Sequence, residues 1–500
     1  MRVLAFAATV IAVVAVGGAS CAAAAFTPDD VAALVAAARA ASADGLPAPD
    51  LATAARDAVS PDPTQSSLGE ASLVAGATDL AALSHGRLAR PAAVNREWAL
   101  KAPYDAAADV AAALGGGRIA AWAGQLRPSG PAYLSLAALR TRYVAIVAAG
   151  GWAAVGPGPT TPPGGKDPRV PLLRARLAAE GYDAAPPEAP AATTAPPAAP
   201  PAAPARPAPG FTAPVAPDPN LLDPGLAAAL ASFQANHALP QTGALDGATQ
   251  AALDAPAAAR LQTIDLNLER ERWMPASPPP ARIEVDIASQ TLTLFQAGRP
   301  ALAMKVVVGR ADRRTPSFAS ATDGVVFNPP WVVPGSIAAK ELYPHERRTP
   351  GYLARNGFSV IRGQLVQAPG PRSSLGAVKI DMPSPFGVYL HDTPARALFA
   401  RPQRTFSHGC IRLEAPRELA AALLAAQGWS RADIDAAIAA KATRRVALAV
   451  HTPVFVVYRT AAADASGRLQ ARPDVYGWDA QLAAALLGPG AAVASSPQPR

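Results

Sequence analysis

"RIEVDIASQTLTLFQAGRPALAMKVVVGR", residues 282–310, sets Ile283, Val285 and Ile287, then Leu292 and Leu294, against alternating polar partners. A period of two turns one apolar face to a core, as in a half-buried strand, and "AGRP" at 297–300 reads as a hairpin turn. The runs "VKIDMP" (378–383), "GVYLHD" (387–392) and "RRVALAVHTPVFVVYRT" (444–460) continue the strands, and one helix, "APRELAAALLAAQG" (415–428), interrupts them. A mostly antiparallel sheet closing into a sandwich or barrel is the economical arrangement.

Upstream the texture is helical. Residues 26–166 are alanine-rich with leucine and valine at helical spacing, as in "DDVAALVAAARAA" and "YLSLAALRTRYVAIVAAGGW", with Asp29 or Asp30 as cap and Gly150-Gly151 as stop. "DPRVPLLRARLAAEGY" (167–182) predicts a short amphipathic helix, and a Pro/Ala tract at about 184–218 favours extended polyproline structure. A second helical piece follows, with Leu226, Leu230 and Phe233 on one helix, a turn at Gly243 and a last helix through Thr249–Leu253. The expected class is therefore α+β and multi-domain. It comprises a signal segment (1–25), a helical scaffold (26–166), a small three-helix domain (167–255) split by the tract, a sheet domain (260–487) with an insertion at about 334–385, and a flexible tail (488–500).

The N-terminus carries Arg2, an apolar run to about Val16 and then small residues, the layout of a secretory signal, with an uncleaved anchor or lipidation at Cys21 left open. Export to the periplasm is the expectation. Cleavage within 22–25 leaves Cys410 as the single thiol of a chain with two cysteines. The net charge of +8 is spread thinly, without basic blocks or interleaved aromatics, which argues against a nucleic-acid site and suits an anionic wall polymer.

Cys410 lies in "TFSHGCIRLE" (405–414), between a strand-like approach and a helix starting near Pro416. A sulfur nucleophile must be a thiolate, which cationic neighbours favour, and Arg404, His408 and Arg412 are the candidates. Gly409 removes a side chain where a substrate carbonyl would meet backbone amides. A thiol also needs a base, and His391, 19 residues upstream at the end of a strand, is placed to return beside it.

"YLHDTP" followed by "FARPQRTFSHGCIRLE" resembles the His…Ser/Thr-His-Gly-Cys signature of the YkuD-type L,D-transpeptidase catalytic domain. The likeness extends through "LNLERERWMP", "VVVGRADRRTPSF", "FNPPWVVPGSIAAKELYP", "QAPGPRSSLGAVKIDMPSPFGVYLHDTP" and "VYGWD". The whole resembles the large periplasmic YcbB-like subgroup, and the three-helix piece resembles a peptidoglycan-binding-like domain, with Gln241-Thr242 where an acidic residue is usual. The resemblance implies Cys410 as nucleophile and His391 as base, oriented by the Asp392 carbonyl. It implies Ser407, His408 and Gly409 as supporting and oxyanion residues, and Arg412, Tyr389, Trp331 and Tyr352 as substrate contacts, with the insertion capping the site. Tyr343 is a further groove candidate, and His345 and His451 are read as structural. The implied reaction joins a donor tetrapeptide to an acceptor amine of a second peptidoglycan stem through a thioester, releasing D-Ala in a 3-3 cross-link, without metal or cofactor. Acylation by carbapenem-type β-lactams goes with it, and cell-wall synthesis partners are unknown. An ion pair with His391 would make His391→Ala raise the thiol pKa. L,D-carboxypeptidase activity, protein-to-wall attachment and a non-catalytic wall-binding scaffold stay open.

Overall fold

The computed structural model describes residues 26–182 and 218–488, so the expected signal segment, nearly all of the Pro/Ala tract and nearly all of the tail lie outside the described residues. The chain divides into two compact units. Among the described residues, one takes in 26–39 with Ala48–Ala81 and Asp105–Gly124, and the other Ala40–Pro47, Ala82–Tyr104 and those from Gln125 onward. In the first, Thr27 and Asp30 form a reciprocal cap at the helix Pro28–Ala43: Thr27 N–H donates to Asp30 Oδ2 at 3.0 Å and Asp30 N–H to Thr27 Oγ1 at 3.2 Å. Asp30 Oδ1 also accepts from Ala120 N–H at 2.8 Å, at the start of the helix Ile119–Gln125.

The helical region expected at 26–166 is not one body. Its last helix, Pro131–Ala148, belongs to the second unit, where Tyr133, Leu136, Leu139 and Tyr143 share a core with Ile264 and Leu268 of the helix Ala257–Glu271. Trp98–Ala99 is a strand, paired in parallel with Ser317 and Phe318, so it extends the sheet. The helices Val170–Ala179, Pro224–Asn236 and Gly247–Leu253 enclose Leu173, Leu177, Leu226, Leu230, Phe233 and Leu253. Val155 joins that core and Thr161 bridges Leu245, so this piece begins before the expected residue 167.

The large sheet runs Trp98–Ala99, Ser317–Ala321, Pro453–Val457, Arg282–Asp286, Thr291–Gln296, Arg299–Gly309, Ile411–Leu413, Leu390–His391, Val378–Asp381, Gly324–Phe327, Arg444–Ala447, with Thr405–Ser407 beside Val308 and Gly309. Ile283, Val285, Leu292 and Leu294 are fully or nearly fully buried, as their alternation requires. The hairpin of Thr291–Gln296 and Arg299–Gly309 turns on Ala297 and Gly298, both at positive φ (48° and 77°), the two-residue turn whose twist matches right-handed strands. The expectation of barrel-like closure needs correction: the terminal strands Trp98–Ala99 and Arg444–Ala447 do not pair with each other among the described residues. Parallel pairs also occur, at Leu390–His391 with Ile411–Leu413 and at Thr405–Ser407 with Arg299–Gly309, and these position the site.

The insertion is a small body with its own core of Val333, Ile337, Ala338, Phe358 and Leu365. It holds a three-stranded sheet of Trp331–Val332, Gln364–Gln367 and Phe358–Ile361, and short helical turns between 335 and 355 that include the π-helical Ala338–Leu342. Its bounds differ from the expected 334–385, because Trp331 starts it and Val378–Asp381 is an interior strand of the large sheet.

Candidate active site

The loop before Cys410 is fixed by hydrogen bonds made within the chain. Gly409 sits at φ 113°, a region that disfavours any side chain, and a Cβ there would meet the Arg314 carbonyl oxygen at 3.2 Å. Its N–H donates to Ser407 Oγ at 3.1 Å, and Ser407 Oγ donates to the Cys410 carbonyl at 2.5 Å. Thr315 Oγ1 donates to the Gly409 carbonyl at 2.8 Å while accepting from Gly309 N–H at 2.9 Å. The Gly409 amide is thus engaged by Ser407, so the glycine serves backbone conformation as well as access.

Arg404 is a buried staple and not a cationic neighbour of the thiol, contrary to its reading as a candidate. Its guanidinium donates to the carbonyls of Val306, Arg401, Pro402, Ser289 and Gln290 at 3.0–3.3 Å, using all five N–H groups. Burial lowers its pKa.

His391 ends a strand held on both sides, opposite Arg412 in the parallel partner and opposite Lys379 in the antiparallel one. It is 4% exposed, and Nδ1 lies 2.5 Å from the Asp392 carbonyl oxygen. A carbonyl only accepts, so Nδ1 carries the proton and Nε2 keeps its lone pair. Burial, then the Arg412 charge, lower the imidazole pKa to about 3. The Cys410 sulfur lies 4.0 Å from the Gly387 carbonyl, facing the segment that leads to His391. Burial pushes the thiol up, opposed by hydrogen bonds from the Tyr389 amide and hydroxyl and by the charges of Lys379 and Arg412. Both shifts favour a neutral thiol and a neutral imidazole over the ion pair expected from sequence.

A cavity of about 400 Å³ opens over these groups. Its lining brings together Cys410, His391, Ser407, His408, Gly409, Arg412, Tyr389, Trp331 and Tyr352; Asp392 contributes its carbonyl behind the imidazole. Arg412 Nε is buried with no protein partner. His408 Nε2 donates to Glu341 Oε1 of the cap at 2.7 Å. Tyr343 is half-exposed and outside the cavity lining, and His345 rests against Tyr352 at 4.0 Å between ring centres. Sequence reasoning missed Glu341 and Lys379. Lys379 shares a sheet face with His391 as its direct cross-strand neighbour, but that pairing is visible only once the register is known.

Residues 280–456 match the model of the YkuD L,D-transpeptidase catalytic domain. The match covers most of the sheet, the cap and both Cys410 and His391. A curated protein of Haemophilus influenzae, named "Putative L,D-transpeptidase", is 34% identical over 242 residues, which is 44% of this chain and 49% of the relative. The chain thus spans about half the length of the curated relative it matches. Among solved structures, an L,D-transpeptidase from Mycobacterium smegmatis is 16% identical, covering 36% of this chain and 59% of that one, with a TM-score of 0.21. L,D-transpeptidase 3 from Mycobacterium tuberculosis, solved with a faropenem-derived adduct, is 17% identical over 36% and 61% of the two chains, with a TM-score of 0.20.

Proposed function

We propose that this chain is a peptidoglycan L,D-transpeptidase of the YcbB-like kind, exported to the periplasm, forming 3-3 cross-links through a thioester at Cys410. The observation that carries the reading is a cavity that brings together the thiol, the tautomer-fixed imidazole and Arg412 with its buried, unmatched Nε, within the segment that matches the YkuD domain.

The sulfur attacks the carbonyl before the terminal D-Ala of a donor tetrapeptide as His391 Nε2 takes its proton. Because both shifts favour the neutral pair, proton transfer accompanies attack, and His391 acts as a general base. The amide C–N bond then breaks, the leaving amine takes the proton from the imidazolium, and a thioester remains. With Gly409 N–H held by Ser407, the Cys410 N–H is assigned the oxyanion contact, and His408 supports the loop. An acceptor stem amine next attacks the thioester and loses its proton to His391. The C–S bond breaks, the electron pair returns to sulfur, and the proton returns with it. The ring carbonyl of a carbapenem-type β-lactam is an electrophile for the same first step. Arg412, Tyr389, Trp331 and Tyr352 are the proposed substrate contacts, and the three-helix piece is proposed to bind the wall.

The test is incubation of the protein with purified disaccharide-tetrapeptide muropeptides, followed by mass spectrometry. Dimers that have lost one D-Ala, absent with Cys410→Ser, are expected. Tripeptide alone would move the reading to an L,D-carboxypeptidase, and unchanged tetrapeptide would refute catalysis on this substrate.

A further inference from the structure

Tyr389 occupies a place that a groove-lining residue does not require. Leu390 pairs with Ile411 in the neighbouring parallel strand, so Tyr389 and Cys410 are the residues immediately before the paired positions, and the Tyr389 carbonyl accepts from Ile411 N–H at 3.1 Å. The thiol faces the same segment, with the sulfur 4.0 Å from the Gly387 carbonyl. The Tyr389 ring stands edge-on to the His391 ring at 5.6 Å and carries the Lys379 ammonium 4.5 Å from its centre. It therefore touches the surroundings of both reacting groups.

We propose that the Tyr389 hydroxyl is a catalytic hydrogen-bond donor to the Cys410 sulfur, stabilising negative charge there as the proton leaves and again when the thioester C–S bond breaks. The hydroxyl keeps its own proton throughout, so nothing is transferred through it and the proton balance of the reaction is unchanged. Burial is the largest cause holding the phenol well above its ordinary range, so it remains a donor across the working pH. Trp331, from the first strand of the cap, lines the same cavity as Tyr389 and Cys410, so the cap closes around the phenol and the sulfur together. The proposal rests on Cys410 as nucleophile, deepening the reading above by naming a group that acts on the sulfur itself.

The test is Tyr389→Phe in the full chain, which keeps the ring and removes one oxygen. Iodoacetamide labelling of Cys410, located by peptide mass spectrometry to separate it from Cys21, is followed as a function of pH, with muropeptide turnover measured in parallel. A hydrogen bond to a charged acceptor corresponds to a change of about tenfold or more. At a fixed pH below the thiol midpoint, labelling should therefore slow about tenfold in Tyr389→Phe, and turnover should fall through kcat. An unchanged labelling profile in a Tyr389→Phe protein of normal melting temperature would overturn the proposal, as would a turnover loss confined to KM. A wild-type protein that labels normally but leaves muropeptides untouched would instead count against the transpeptidase reading, while slowed labelling in Tyr389→Phe would still support the hydroxyl's effect on sulfur.

Discussion

Removing the His391 imidazole should leave the resting ionisation of Cys410 almost unchanged while abolishing turnover. The imidazole pKa lies at about 3 and the thiol above its ordinary 9.0, a gap of more than 6 units before their mutual attraction. At 1.36 kcal/mol per unit, moving the proton from sulfur to imidazole costs about 8 kcal/mol. Two unit charges about 4 Å apart in an effective dielectric of about 20 recover about 4 kcal/mol. The balance of about 4 kcal/mol leaves the ion pair near one molecule in a thousand in the empty site. The assay is iodoacetamide labelling of Cys410 from pH 6 to 10 in wild type and His391→Ala. Both should rise steadily with pH, with no plateau near pH 6–7 and midpoints within about 0.3 unit of each other. Muropeptide turnover should drop by about 10² or more, the usual contribution of a general base. A labelling plateau at pH 6–7 in wild type that disappears in His391→Ala would show a preformed ion pair and refute this reasoning.

Stability should fall between pH 6.5 and 5. His391 and His237 are buried neutral, each lowered from 6.5 to about 3 with burial as first cause, so below pH 6.5 the unfolded chain takes up protons that the folded chain refuses. Stability is full above 6.5, and at pH 5 each histidine subtracts about 2 kcal/mol. Urea midpoints at pH 7.5 and 5.0, compared with His237→Leu, check this, and an equal or higher midpoint at pH 5 contradicts it. Arg404→Ala strips five carbonyls of a buried donor and should destabilise by about 3 kcal/mol or more. Arg404→Lys should fail to rescue it, because three ammonium protons cannot replace a planar five-donor fork; urea unfolding of both variants measures this. Glu341→Ala should release the cap from the nucleophile loop, raising hydrogen exchange at 335–345 and 405–410 together and lowering kcat/KM about tenfold, whereas Glu341→Gln should retain most activity through its amide oxygen.

Much of the site was legible in the sequence because its parts are local. Period-two alternation around 283–294 announces strands whatever they pair with, since burying one face is a property of the segment itself. "SHGC" with a histidine 19 residues earlier names a thiol, a base and a backbone turn, and the structure brings Cys410, His391, His408 and Gly409 to one cavity. What the tertiary structure decided depends on pairing between distant segments. Register alone sets Lys379 and Arg412 on either side of His391, and a shift by one residue would turn them to the other face. Protonation is likewise not local: His391 reads as an ordinary histidine until the sheet and Arg412 enclose it and the imidazolium loses its water. Arg404 and Arg412, eight positions apart and of equal charge on the page, part in the same way. One finds five carbonyls around it and becomes structure, and the other is left with a buried Nε unmatched at the wall of the cavity.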